Sequence, residues 1–145
     1  MKGTRHSLLL IEDNIDDEAL FLRAISMSEV PCEVKVVRHG GEAFALVLSD
    51  ATPVPHIIVL DFHLPGNSGL DILRALRSRD RTRHVPVVML SALESDTEIS
   101  ACLNEGANSC VQKPMDSRVY SDHVALIVRY WLTVDKQPES LLSSK

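Results

Sequence analysis

Three acidic residues and one lysine stand directly after apolar runs, where side chains from separate strands could meet. Glu12 and Asp13 follow the first run, Asp61 follows Ile57–Leu60, and Lys113 follows a later run. Carboxylates held close together repel each other unless a cation lies among them, and magnesium prefers a few carboxylate oxygens together with water and phosphate oxygens. An ionised aspartate can attack phosphorus while a metal and a lysine ammonium stabilise the phosphoryl oxygens. The set predicts magnesium-assisted phosphorylation of Asp61.

The elements that must bring these side chains together are predicted from apolar runs that alternate with segments of helical spacing. Aliphatic runs without polar alternation predict strands buried on both faces, as in a parallel sheet covered by helices. Strands are predicted over residues 7–11, 32–37, 57–60, 85–90 and 109–112, each followed by a helical segment. The last helix is predicted over residues 117–134, and Ser68 is a candidate N-cap for the third.

Apolar residues at helical spacing predict which face each helix turns toward the sheet. The predicted inward residues are Ile15, Ala19, Leu22 and Ile25 in the first helix, Ala43, Leu46 and Val47 in the second, Leu70, Leu73, Ala75 and Leu76 in the third, and Ile99, Cys102 and Leu103 in the fourth.

The last helix carries more apolar residues than one buried face needs. Tyr120, Val124, Ile127, Trp131 and Val134 form one stripe, and Val119, Leu126 and Tyr130 extend the apolar character around the helix. One interpretation is a broad buried face. The other is a self-associating surface, which predicts a homodimer through this helix.

Five βα units with short connections predict the α/β class, a flavodoxin-like, doubly wound sheet of five parallel strands with helices on both faces. We assign residues 1–134 to this single domain and residues 135–145 to a mobile C-terminal tail. Ligands of such sheets bind beyond the carboxyl ends of the strands, where Ser91 and Ala92 would join the acidic residues and the lysine.

Composition argues against two classes of partner. The 145 residues carry a formal net charge of −5, which disfavours nucleic acid because that binding depends on Lys and Arg that neutralise phosphates. No apolar stretch approaches the roughly 18 residues of a membrane-spanning helix, and the N-terminus lacks the apolar core of a signal peptide. We therefore expect a cytoplasmic protein without a membrane partner.

Several short motifs occur in a fixed order along the chain. They are Glu12-Asp13, Leu60-Asp61 with Leu64-Pro65-Gly66 and Gly69, Ser91-Ala92, and Lys113-Pro114. Together they resemble the signature of response-regulator receiver domains. The resemblance implies that Asp61 accepts a phosphoryl group from a phosphohistidine on a sensor histidine kinase. It also implies a signalling module that assists its own phosphorylation and dephosphorylation rather than an enzyme.

The same resemblance implies roles for individual residues. Magnesium would be bound by Asp13, Asp61 and the backbone carbonyl of His63, with Glu12 acting through water. The Ser91 hydroxyl and the Lys113 ammonium would contact the phosphoryl oxygens, and Phe62 and Ala92 are also expected to bind the phosphoryl group. The Lys113–Pro114 peptide is expected to be cis. One position departs from the family, because Cys110 stands where a switching Tyr or Phe is usual.

A narrower resemblance is carried by residues 14–17, by Phe21-Leu22-Arg23-Ala24 and by Tyr130-Trp131-Leu132. These are similar to the single-domain response regulators of bacterial phytochromes. This resemblance implies that the kinase partner senses light.

Two other functions stay open. Phosphatase-type hydrolases also form an aspartyl phosphate with magnesium on an α/β sheet, but they generally carry a second Asp two residues after the nucleophile, where this chain has His63. A flavodoxin-like cofactor binder is disfavoured because no Gly-rich or hydroxyl-rich phosphate loop follows the first strand.

Overall fold

The apolar runs of the sequence form the strands of one sheet, and the segments of helical spacing form the helices between them. The computed structural model describes residues 6–92 and 95–136. The strands are β1 His6–Ile11, β2 Cys32–Val37, β3 Ile57–Leu60, β4 Val87–Ser91 and β5 Ser109–Gln112. The helices are α1 Ile15–Met27, α2 Gly40–Leu48, α3 Gly69–Ser78, α4 Asp96–Asn104 and α5 Ser117–Arg129, and a π-helical turn, Tyr130–Val134, follows α5.

The strand order is β2-β1-β3-β4-β5, and every neighbouring pair is parallel. This confirms the predicted flavodoxin-like sheet of five parallel strands. The order reverses between β1 and β3, which opens a crevice beyond their carboxyl ends. Glu12, Asp13 and Asp61 follow these two strands, so the topology places them beside the crevice.

Helices cover both faces of the sheet because successive residues of a strand point to opposite sides. Leu8 and Leu10 of β1 belong to the core layer shared with α1 and α5. Leu9 and Ile11 belong to the layer shared with α2, α3 and α4.

The inward face of α1 differs from the prediction. Ile25 is buried as expected, but Ile15 is 72% exposed, and Ala19 and Leu22 are also exposed. The buried residues of α1 are Glu18, Phe21, Ala24 and Ile25. Both stripes satisfy helical spacing, and the one that contains Phe21 buries the larger apolar side chain.

The inward face of α1 was difficult to predict from the sequence because it includes an acidic residue, Glu18. Glu18 accepts hydrogen bonds from both Arg38 Nε, at 2.8 Å, and Arg38 Nη2, at 2.7 Å. This paired geometry satisfies the carboxylate and lets it lie on the inward side of α1. Arg38 follows β2, so the pair also ties α1 to the carboxyl end of the edge strand.

The end of the last helix also differs from the prediction. Tyr120, Val124 and Ile127 are buried as the stripe predicted, but regular α-helix ends at Arg129 and the next five residues are π-helical. The change of turn shifts the period, so Leu132 is buried and Val134 is 57% exposed. Trp131, also part of the predicted stripe, is partly buried against the core. The stripe therefore fails only at Val134.

Two smaller corrections concern β4 and α4. Strand β4 begins at Val87 rather than residue 85, because Pro86 has no N–H with which to join the ladder. In α4, Cys102 is buried as predicted, whereas Leu103 is exposed. The predicted N-cap of α3 is confirmed, since the Ser68 side chain accepts from the Asp71 N–H.

Residues 137–145 of the expected tail lie outside the described residues, so the domain boundary at residue 134 stays a prediction. Among the helices of residues 6–92 and 95–136, none is long and apolar enough to cross a membrane.

Candidate phosphoryl and metal site

The backbone ladder of the sheet continues one residue past three strand ends. The Glu12 N–H donates to Val37 O at 2.9 Å, the Asp61 N–H to Ile11 O at 3.0 Å, and the Lys113 N–H to Ser91 O at 2.9 Å. Each candidate residue is therefore held by the neighbouring strand. The relative positions of these side chains follow from the sheet and not from loop geometry.

Three carboxylates converge at this edge. Oxygens of Glu12, Asp13 and Asp61 all lie within 4.8 Å of one another. Glu12 and Asp61 are buried, whereas Asp13 is exposed and opens the cluster to solvent. An all-oxygen set with one open side fits a hard divalent cation that keeps some of its water.

Ser91 lies against the acid predicted to receive the phosphoryl group. Its hydroxyl donates to Asp61 Oδ1 at 2.5 Å and accepts from the Phe62 N–H at 3.2 Å. The His63 N–H donates to the same Asp61 oxygen at 3.1 Å. Asp61 Oδ1 is thus surrounded by hydrogen-bond donors.

Lys113 occupies the other side of Asp61. Its Nζ lies 2.8 Å from Glu12 Oε1, 2.8 Å from Asp17 Oδ2 and 3.1 Å from Asp61 Oδ2. The side chain of Lys113 is only 12% exposed. The sequence predicted the proximity to Glu12 and Asp61 but missed Asp17, because an acid in the first turn of a helix is common for its interaction with the helix dipole alone.

Burial dominates the electrostatics of the site. It raises the pKa of the Glu12 carboxyl from 4.5 to about 7, an effect that the Lys113 hydrogen bond opposes and the Asp61 charge reinforces. Burial alone would lower the pKa of Lys113, but the hydrogen bonds to Asp17 and Glu12 and the Asp61 charge outweigh it and raise that pKa. The ammonium of Lys113 is therefore firmly charged, and the cluster holds excess negative charge that a cation can neutralise.

The side chain of His63 is not one of the groups that converge with Glu12, Asp13 and Asp61. Its Nε2 is 3.7 Å from Glu98 Oε2 on α4, and the ring is half exposed. Ala92 follows Ser91 and is exposed, and Phe62 faces the site through its N–H.

The expected cis peptide is wrong: within the described segments every peptide bond is trans, including Lys113–Pro114. Trans is the lower-energy form for most X–Pro bonds.

Close packing explains why glycines stand at positions 66 and 69, in the segment that follows Asp61. The loop that they form packs on the start of α2, where the Gly40 N–H donates to Pro65 O at 2.8 Å. Gly66 has a φ of +82°, a conformation that favours glycine. A Cβ on Gly69 would stand 2.2 Å from Asp61 O, so only glycine lets α3 begin this close to the candidate phosphoacceptor.

Cys110, at the position where the family usually has an aromatic ring, is half buried in β5. Its Sγ lies 4.0 Å from Ile99 O of α4. Because Cys110 has no aromatic ring, this position cannot provide the inward-swinging ring that the family usually has there.

Comparison with known proteins identifies the family. Residues 8–125 match the model of the response regulator receiver domain. The chain belongs to this family. As a receiver domain, it is a phosphoacceptor module of two-component signalling, whose members are phosphorylated by histidine kinases.

Individual relatives agree with this assignment. The receiver domain is 31% identical over 128 residues to the response regulator PleD of Caulobacter vibrioides, covering 88% of this chain and 27% of PleD. It is 32% identical over 123 residues to the transcriptional regulatory protein AfsQ1 of Streptomyces coelicolor, covering 85% of this chain and 51% of AfsQ1. The chain thus spans about a quarter and about half of these two relatives.

A solved structure matches over nearly its full length. The phosphorylated cyanobacterial phytochrome response regulator RcpA superposes with a TM-score of 0.86 at 29% identity, covering 93% of this receiver domain and 99% of RcpA.

Proposed function

We propose that Asp61 is the residue that accepts the phosphoryl group, from a phosphohistidine of a sensor histidine kinase. The observation that carries this proposal is the position of Asp61 between the Ser91 hydroxyl, 2.5 Å from Oδ1, and the Lys113 ammonium, 3.1 Å from Oδ2. Two further carboxylates lie beside it. A nucleophile, donors for phosphoryl oxygens and a cation-binding set therefore occur together, as phosphoryl transfer requires.

In the proposed step a carboxylate oxygen of Asp61 forms a bond to phosphorus while the bond from phosphorus to the histidine nitrogen breaks. The electron pair of the broken bond stays on the imidazole of the kinase. The Ser91 hydroxyl and the N–H of Lys113 that donates to Asp61 turn to the new phosphoryl oxygens. Their charge-assisted hydrogen bonds stabilise the negative charge that the transfer brings in.

The cation proposed for this site is Mg²⁺, held by Asp13, Asp61 and the backbone carbonyl of His63, with Glu12 acting through water. The three carboxylates within 4.8 Å of one another support this ligand set. When bound, the ion supplies positive charge to the phosphoryl oxygens and aligns them with the attacking carboxylate. Backbone groups of Phe62 and Ala92, beside Ser91, complete the proposed contacts to the phosphoryl group.

A phytochrome kinase is the proposed phosphoryl donor. The support is the match over most of the chain to RcpA, a phytochrome response regulator, and to the bacteriophytochrome response regulator RtBRR at 28% identity and a TM-score of 0.71. Because histidine kinases draw the phosphoryl group from ATP, this proposal places the chain in the cytoplasm. Phosphotransfer from an autophosphorylated phytochrome kinase should be faster than from kinases of other sensor classes; equal or slower transfer would contradict it.

A phosphoacceptor that assists its own phosphorylation and dephosphorylation, rather than a hydrolase, is the proposed activity. The second acid of phosphatase-type enzymes is replaced by His63, whose ring contacts Glu98. Incubation with acetyl phosphate and Mg²⁺ should add one phosphoryl group to the chain, and Asp61→Asn should abolish the addition. Rapid multiple turnover of phosphomonoesters would instead support the hydrolase.

A homodimer through the last helix is proposed as the assembly. Support comes from apolar residues that the fold leaves exposed on α5 and its π-helical turn, namely Val119, Leu126, Tyr130 and Val134. Exposed apolar groups of this kind favour association. Light scattering should give the mass of a dimer well above micromolar concentration, and Leu126→Glu should give a monomer; a monomeric wild-type chain would defeat the proposal.

A further inference from the structure

The ammonium of Lys113 contacts three carboxylates, and one of them, Asp17, belongs to neither the acidic cluster nor the receiver-domain signature. A lysine ammonium has three N–H donors. Nζ donates to Asp17 Oδ2 at 2.8 Å and to Asp61 Oδ2 at 3.1 Å, and it forms an ion pair with Glu12 Oε1 at 2.8 Å. Asp17 comes from the first turn of α1, whereas Glu12 and Asp61 follow strands of the sheet.

The backbone of Asp17 makes contacts through both its N–H and its carbonyl. The Asp17 N–H donates at 2.9 Å to Oδ1 of Asn14, the N-cap of α1. The carbonyl of Asp17 accepts from the hydroxyl of Tyr120 at 3.4 Å, and Tyr120 is buried on α5. Contacts at both ends of the residue therefore fix the point from which its side chain reaches Lys113.

We propose that Asp17 is a positioning residue, which orients the Lys113 ammonium toward the phosphoryl group on Asp61. This role rests on the proposed function of Asp61. The hydrogen bond to Asp17 Oδ2 and the ion pair with Glu12 Oε1, both at 2.8 Å, hold the ammonium in place while another N–H donates to Asp61 Oδ2 at 3.1 Å. That donor is the one that a phosphoryl oxygen would take over.

The physical benefit is preorganisation. A lysine side chain has four flexible carbons and loses considerable rotamer freedom when it is held in one geometry. With Asp17 in place this ordering is complete before the phosphoryl group arrives, so the transfer step does not have to supply it.

The competing explanation is that Asp17 only stabilises the N-terminus of α1. Asp16 offers a matched control, because it lies in the same first turn of α1 and is exposed. A helix-dipole role would be shared by both residues. If Asp17 positions Lys113, removing the Asp17 carboxylate should affect Lys113 and removing that of Asp16 should not.

Side-chain order gives a test that does not depend on phosphorylation. The chain has five lysines. When they are labelled with ¹³C at Cε, NMR relaxation reports the mobility of each Cε methylene group. The signal that is missing from the Lys113→Arg spectrum is that of Lys113. Wild type, Asp16→Ala and Asp17→Asn should show a restrained Lys113, since Asn keeps an acceptor oxygen. Asp17→Ala should show a mobile Lys113, and an equally restrained signal would overturn the proposal.

The kinetic test compares Asp17→Ala with Asp17→Asn. Both variants remove the same negative charge, so their ratio isolates the loss of the acceptor. At saturating Mg²⁺, phosphorylation by acetyl phosphate should be about tenfold slower in Asp17→Ala than in Asp17→Asn; equal rates overturn the positioning role. A wild-type chain that is not phosphorylated at all would instead count against the proposed function, while the NMR result still decides whether Asp17 orders Lys113.

Discussion

The Ser91 hydroxyl donates to Asp61 Oδ1 at 2.5 Å. Ser91 is the last residue of β4, and Asp61 directly follows β3. These strands are neighbours, with Leu60 paired to Met89. The parallel register itself therefore brings the hydroxyl to the carboxylate.

Removing this hydroxyl should slow phosphorylation. In Ser91→Ala, Asp61 loses a donor and the Phe62 N–H loses its acceptor, so we expect the rate with acetyl phosphate to fall at least about tenfold. The free energy of unfolding should also fall by about 1–3 kcal/mol, because a buried hydrogen bond to a charged group is lost. Ser91→Thr keeps the hydroxyl and is the control; a Ser91→Ala chain as fast as wild type would contradict this account.

Glu12 should make the metal-free chain less stable as pH rises. Burial raises its pKa from 4.5 to about 7, so between these values the folded chain holds a proton that the unfolded chain has released. The contribution is present below pH 4.5 and is lost as pH rises through about 7, by up to about 3 kcal/mol. Denaturant unfolding with a chelator present, at a series of pH values, measures this slope.

Glu12→Gln is the control for that slope, because a neutral amide cannot titrate and the slope should flatten. Mg²⁺ should stabilise the wild-type chain more at pH 8 than at pH 5, since the metal requires ionised carboxylates. The assigned burial effect would be contradicted if, without metal, the free energy of unfolding of the wild-type chain rose between pH 5 and pH 7 and the slope were the same in Glu12→Gln.

Gly69→Ala should damage both stability and the site. The added Cβ would stand 2.2 Å from Asp61 O and 2.9 Å from Phe62 Cα, so the backbone at Asp61 must shift, at a cost of about 1–3 kcal/mol. Gly41→Ala is the matched control, because its Cβ meets only the His39 side chain, at 3.2 Å. Denaturant midpoints and acetyl phosphate kinetics on both variants test this; equal effects would show that the close approach at Gly69 is unimportant.

The sequence predicted the sheet and the central cluster because both depend on simple regularities. Unbroken runs such as Ile57–Leu60 are typical of strands buried on both faces, and parallel strands deliver the residues that follow them to one edge. The convergence of Glu12, Asp61 and Lys113 follows directly.

The features that the sequence did not predict depend on tertiary contacts. Two stripes of α1 satisfy helical spacing, and the burial of Phe21, together with the pairing of Glu18 and Arg38, decides between them. Asp17 resembles any acid in a first helical turn until Lys113 is seen beside it. The π-helical turn after Arg129 has no signal in the apolar pattern.

Locating the phosphoryl group on the chain tests the central claim most directly. After incubation with acetyl phosphate and Mg²⁺, borohydride reduces an aspartyl phosphate to homoserine, which peptide mass spectrometry can assign to a residue. We predict homoserine at position 61 and at no other acidic residue, with none formed when Mg²⁺ is chelated. Homoserine at Asp13 or another aspartate in place of Asp61, the longer alcohol 5-hydroxynorvaline at Glu12, or no reduced residue while Mg²⁺ is bound, would contradict the account.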